Sequence, residues 1–184
     1  MRVVDTLFND VKIIEFPYFT DNRGVFAETW SASFSKHLPE KPQWLQDSFS
    51  ISKQKGTVRG LHFQTPPYHQ IKLVRVVKGS IFDVVVDIRH GSRTFGEHFS
   101  MTLKAGDNRQ LLIAPSYAHG FCTLEDNTEV FYKLSGIYNT ECYFGIQWND
   151  PELNIDWPIS QQDAVISEKD KLLPPLAELP PVFS

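Results

Sequence analysis

Residues 71–88 read IKLVRVVKGSIFDVVVDI, and the spacing of their apolar side chains decides the fold class. From Ile81 to Ile88 the chain alternates: Phe82, Val84, Val86 and Ile88 share one side, while Ile81, Asp83, Val85 and Asp87 share the other. A period of two belongs to an extended strand, here expected to have one dry face. Residues 71–77 are β-branched and apolar apart from Lys72 and Arg75. Lys78-Gly79 then supplies a tight turn, which predicts that the two runs pair as an antiparallel hairpin. Outward from this centre, residues 11–16, 25–30, 49–51, 57–63, 98–103, 110–114, 121–124 and 128–134 read as further strands, separated by Gly, Pro, Asn and Asp. The best short helices are 31–37 and 160–169, and no longer stretch carries an apolar stripe of helical period. Ten or so short strands predict an all-β protein, specifically a double-sheet jelly roll with a few short helices. One domain is expected over 1–184, with a Pro-rich tail from about 173 that lies extended over the body or frays.

The chain has 184 residues, so it can build an ordinary core, and its two cysteines, Cys122 and Cys142, are expected to be free thiols. Lys and Arg number 18 against 22 Asp and Glu, a net charge of -4, which argues against nucleic acid or an anionic membrane as partner. An anionic ligand would be held by a few placed cations. The opening MRVVDTLFND carries acid where a secretion signal needs an apolar core, so a cytoplasmic location is expected. With 14 Phe, 6 Tyr and 4 Trp, the aromatic content favours strands.

Five places carry chemistry-bearing side chains. In VRGLHFQ (58–64), strand alternation puts Val58, Gly60, His62 and Gln64 on one side and Arg59, Leu61 and Phe63 on the other, with Gly60 leaving room for a group to approach the imidazole. Lys72 shares its side with Val74 and Val76, and an ammonium projecting with two valines needs a partner or a ligand. Tyr132 is in phase with Val130 and Leu134; His119 sits in AHGF; Ser167, Glu168, Lys169 and Asp170 form a polar turn. Each alone has a plain structural reading, as a core histidine, an edge-strand lysine, a locally bonded tyrosine or a solvated turn. His62 and His69 do not have the spacing of a metal site, and phosphate-loop, dinucleotide and nucleophile-elbow motifs are absent.

In order along the chain, DNRGVFAETW, QDSFSISKQKGTVRGLHFQTPP, KLVRVVKGSIFDVVVDIR, SRTFGEHFSMTL, RQLLIAPSYAHGFCTL, EVFYKLSGIYN, GIQWNDPELNIDWP and ISEKD resemble the dTDP-4-dehydrorhamnose 3,5-epimerase family over most of residues 21–170. The resemblance implies a cupin-type jelly roll without metal or cofactor, a homodimer that exchanges N-terminal strands, and a nucleotide sugar with a ketone at carbon 4, used in deoxysugar synthesis. It implies His62 as base with Asp170 orienting it, Lys72 at the enolate oxygen and Tyr132 as acid on the opposite face. Among binding residues it implies Arg23 and Arg59 on the diphosphate, Glu28 and Gln46-Asp47-Ser48 on sugar and base, His119 near the ketone, Tyr138 stacked on the nucleobase and Lys169 by the diphosphate. Two positions depart from the family pattern: Ser48-Phe49 replaces Asn-His, and Tyr143 stands where an acidic residue is common. A 3-only or 5-only epimerase, a 3,4-ketoisomerase and a non-catalytic nucleotide-sugar-binding module are the alternatives.

Overall fold

In the computed structural model, which describes residues 1–38 and 41–183, the period-2 segments become thirteen strands. They are β1 (Arg2–Asp5), β2 (Val11–Glu15), β3 (Tyr18–Asp21), β4 (Gly24–Ala27), β5 (Gln46–Ser52), β6 (Val58–Gln64), β7 (Lys72–Lys78), β8 (Ser80–Asp87), β9 (His98–Lys104), β10 (Arg109–Ile113), β11 (Tyr117–Thr123), β12 (Thr128–Leu134) and β13 (Tyr143–Gly145). Two sheets face each other, one ordered β1-β2-β10-β7-β12-β5 and the other β13-β6-β11-β8-β9; β3 and β4 form a separate hairpin. Every strand pair is antiparallel, as the expected all-β jelly roll requires.

The turn at Lys78-Gly79 corrects one expectation. β7 pairs with β10 and β12, and β8 pairs with β11 and β9, so the turn carries the chain between the two sheets and the runs are not a hairpin. Gly79 has a φ of +75°, and a Cβ there would lie 2.5 Å from Thr128 Oγ1. Only glycine makes so abrupt a change of sheet. The dry face of β8 is a second correction. Every β8 residue except the half-buried Phe82 is buried, because both faces are covered. Ile81 and Val85 enter the core between the sheets with Val74, Val76, Leu111, Ile113 and Val130. Val84 and Val86 face outward against Leu61, Phe63, Ile146, Leu153, Leu176 and Leu179. Each such side chain contributes about 1.5–3 kcal/mol by leaving water.

The tail is therefore packed over the second sheet, with Leu176 and Leu179 buried and the Phe183 ring edge-on to Phe63. The helix expected over 160–169 does not form. Ser160 Oγ and Asp163 close a turn, and the Val165 N–H donates to Gly56 O while the Val58 N–H donates to Val165 O, an isolated β-bridge. Extension there lets Ala164 and Ile166 pack on Trp148 and Val58. The run at 31–37 forms a 3-10 helix, Ala32–His37, capped by Ser31. Strand β4 ends at Ala27, short of the expected Trp30; the Trp30 ring packs edge-on against Phe34 and Trp44. Cys122 and Cys142 are both free. Among the described residues no helix is long and apolar enough to cross a membrane.

Candidate active site

The two sheets enclose a cavity of about 660 Å³, and most of the singled-out residues line it. β6 and β11 bring His62, Arg59 and His119 from one sheet; β7, β12 and β5 bring Lys72, Tyr132, Gln46 and Ser48 from the other. Lys169 and Asp170 come from the turn after residue 166, and Tyr138 and Tyr143 from the segment after β12.

Strict alternation would place Arg59 and His62 on opposite faces of β6. They share the cavity because the pairing with β11 slips: His119 lies opposite His62, and Phe121 opposite Arg59, so three steps on β6 match two on β11. The extra residue is a bulge, which restores both side chains to one face. Gly60 sits in it with a φ of +119°, and a Cβ there would lie 2.6 Å from Gly120 Cα. The glycine thus serves the close approach of two strands, correcting the expectation that it clears space beside the imidazole.

His62 Nε2 lies 2.8 Å from Asp170 Oδ1. Burial alone would raise the Asp170 carboxyl, but the hydrogen bond with His62, together with the Gly60 N–H donating to Oδ2 at 3.4 Å, outweighs it and holds the group below its ordinary value. Facing an ionised carboxylate, Nε2 carries the proton and Nδ1 keeps the lone pair a base needs. Lys72 Nζ donates to the His62 carbonyl at 2.9 Å, leaving two further N–H groups. Burial pulls the Lys72 ammonium down to about 8, against the opposing effect of the Asp83 carboxylate. Tyr132, whose hydroxyl lies 3.4 Å from Ser50 Oγ, is pushed up by burial and is a neutral phenol at physiological pH. Imidazole and phenol therefore enter one cavity from opposite sheets, with the Lys72 amine beside them.

A second pair lies behind the first. His119 Nε2 is 2.8 Å from Asp83 Oδ1, with both side chains buried. Asp83 Oδ2 has no partner among the described residues. Sequence reasoning placed Asp83 on the side of β8 shared with Ile81, Val85 and Asp87 and gave it no role; its signal was an acid alternating with Ile81 and Val85.

The remaining expected residues divide. Gln46 Nε2 donates to Ser48 Oγ at 2.9 Å, and both line the cavity. Asp47, between them, points to the outer face, where it accepts from Lys133 Nζ at 2.7 Å. Arg59 is held by Ser52 Oγ and Ile51 O. Lys169 and Tyr138 sit exposed at the rim. Arg23 and Glu28 lie away from it: Arg23, in the β3–β4 turn, is 85% exposed and paired with Asp21, and Glu28 is exposed beyond β4. Among the described residues no group of three or more His, Cys, Asp or Glu side chains is placed to hold a metal ion.

Comparison with known proteins places the chain in a family. The sequence profile described as dTDP-4-dehydrorhamnose 3,5-epimerase matches residues 5–178. A dTDP-4-dehydrorhamnose 3,5-epimerase of Shigella flexneri is 44% identical over 171 residues, covering 92% of this chain and 93% of that protein. The structure of a dTDP-6-deoxy-D-glucose-3,5-epimerase from Legionella pneumophila, in complex with dTDP-4-keto-L-rhamnose, superimposes with a TM-score of 0.92 at 38% identity, covering 97% of this chain and 94% of that one. That of a dTDP-4-dehydrorhamnose 3,5-epimerase from Bacillus anthracis, with TDP and pyrophosphate bound, gives 0.90 at 41%, covering 95% and 98%. The chain belongs to the dTDP-4-dehydrorhamnose 3,5-epimerase family.

Proposed function

We propose that this chain is an isomerase that inverts carbons 3 and 5 of dTDP-4-dehydro-6-deoxy-D-glucose, yielding dTDP-4-dehydro-L-rhamnose. The observation that carries the reading is the entry of His62 and Tyr132 into one cavity from opposite sheets. The hydrogens on carbons 3 and 5 flank the ketone, so removal of either leaves an enolate. Inversion then requires a proton delivered to the opposite face. His62 removes the proton, oriented by Asp170; Lys72 stabilises the charge on the ketone oxygen, a placement typically worth a factor of ~10²–10³. Tyr132 returns a proton from the far side. His119, fixed by Asp83, stands beside the ketone. Arg59 and Lys169 hold the diphosphate at the rim, guanidinium forks being well suited to phosphate oxygens. Tyr138 stacks on the base, flanked by Gln46 and Ser48.

Incubation of that sugar nucleotide in heavy water tests the reading. Inverted product labelled at both carbons supports it. Label at one carbon alone would favour a 3-only or 5-only epimerase, and a ketone moved to carbon 3 would favour a ketoisomerase.

The position of Arg23 favours a homodimer. The β3–β4 hairpin exposes Phe19, Val25 and Phe26 at 59%, 52% and 70%, and Phe49 and Ile51 are likewise half exposed on the outer face of β5. Paired with a second copy, these surfaces leave water, and the hairpin carries Arg23 and Glu28 to the partner's cavity. β1 and β2 pair within the chain's own sheet, so the hairpin is the exchanged element. Mixing R23A with H62A subunits should then restore one working site per mixed dimer. Sedimentation as a monomer, or no restoration after exchange, would refute it.

A further inference from the structure

The bond to Asp170 fixes one atom of the His62 ring but leaves the ring free to tilt about it. A second contact comes from Tyr143, whose ring centroid lies 5.0 Å from that of His62 at an interplanar angle of 43°. Tyr143 opens β13, whose register on β6 places Gly145 opposite His62 and Tyr143 opposite Gln64. Its other side meets Tyr138, centroids 5.3 Å apart. The segment is braced by two amides: Gln46 Oε1 accepts the Tyr138 N–H at 2.9 Å, and Gln64 Oε1 accepts the Asn139 N–H at 2.8 Å. The imidazole is thereby screened on its solvent side; the His62 side chain is 18% exposed where Tyr143 itself is 37% exposed. Burial pushes the Tyr143 phenol up, with the nearby Asp170 carboxylate adding to the effect, so it brings no charge to the His62–Asp170 pair at physiological pH.

We propose that Tyr143 is a positioning residue for the base: its ring packs on the His62 imidazole, fixes its tilt and shields the His62–Asp170 bond from water. The proposal rests on the reading of His62 as base. The ring carries the role and the hydroxyl does not, because the ring makes the contact.

The test compares Y143F, Y143L and Y143A in the full chain. Steady-state turnover gives kcat and KM; proton exchange at His62 Nε2, read by NMR without substrate, gives the shielding directly. Y143F should keep kcat within about twofold, whereas Y143L and Y143A should lose ~10–100-fold in kcat, the scale of a small misplacement of a reacting group, with dTDP affinity within about threefold. In the same two variants the imidazole proton should exchange at least about tenfold faster, since Asp170 alone would guard it. Leucine fills the apolar volume, so Y143L answers even where Y143A fails to fold. Full kcat and unchanged proton exchange in Y143L would overturn the proposal, as would a loss confined to KM. A wild-type protein that inverts no sugar nucleotide while its His62 proton still responds to Y143L would sink the epimerase reading and leave the positioning role standing.

Discussion

Asp83→Asn is the most diagnostic perturbation of the electrostatics. The asparagine keeps the shape and can still accept the His119 Nε2–H, but it removes a buried negative charge. That charge opposes the burial that brings Lys72 to about 8. Without it the ammonium loses its proton at lower pH, and an amine that is neutral cannot stabilise an enolate. One pKa unit corresponds to 1.36 kcal/mol, a modest change for a unit charge removed from a dry site. If Lys72 falls by one unit, the protonated fraction at pH 8 drops from about one half to about one in eleven, a loss of ~5-fold, while at pH 6 this route removes less than about a tenth of the activity. The assay is kcat/KM against pH from 5.5 to 9.5, which reports the free enzyme. Wild type should lose activity as pH rises through about 8, the phenols of Tyr132 and Tyr143 titrating well above that, and D83N should lose it earlier. An alkaline limb that does not move in D83N, or a loss equal at all pH values, would refute a role for Asp83 in keeping Lys72 charged.

Three further outcomes are expected. H62A should lower turnover by at least ~10³ with dTDP binding, measured by calorimetry, unchanged; D170N should lose less, because an orienting carboxylate only tunes its base. Arg59→Ala should weaken dTDP binding by about 1.5–3 kcal/mol, the range for a hydrogen bond to a charged group, and the loss should shrink in high salt. At the other end of the sheet pair, burial would raise the Asp87 carboxyl, but bonds from Arg89, Ser92 and Thr94 outweigh it and hold it at about 2. A carboxylate depressed in the folded state stabilises above its unfolded pKa of 3.8 and loses that contribution as pH falls through about 2. D87N should therefore lower Tm at pH 7, and the difference from wild type should close as pH approaches 2 in thermal melts.

Lys72 and Tyr132 were legible as inward-facing because period-2 phase is local, and each points where its neighbouring valines point. The Lys78-Gly79 turn was not. A glycine turn reads the same whether the next strand rejoins its sheet or starts the opposite one, and that is decided by β10, β12, β11 and β9, which are distant in sequence. Arg59 and His62 were read out of phase because a bulge is set by the facing strand, here by the contact of Gly60 with Gly120. The helix expected over 160–169 lost to a bridge between Val165 and Thr57, again a distant partner. Asp83 was visible as an acid in an apolar strand, but nothing local names His119 as its mate. The placement of Asp47 outward between Gln46 and Ser48 follows from alternation within β5, and only the motif-wise reading had grouped the three.

If base and acid act on opposite faces of the sugar, Tyr132→Phe in heavy water separates proton removal from inversion. With His62 intact and the far-side acid gone, the enolate should form and recapture a deuteron from the side it left. Recovered starting sugar should carry deuterium at carbon 3, carbon 5 or both, while inverted product falls by ~10²–10⁴, the usual contribution of a placed acid. Inversion at the wild-type rate in Y132F, or no deuterium in the recovered sugar when wild type exchanges freely, would contradict it.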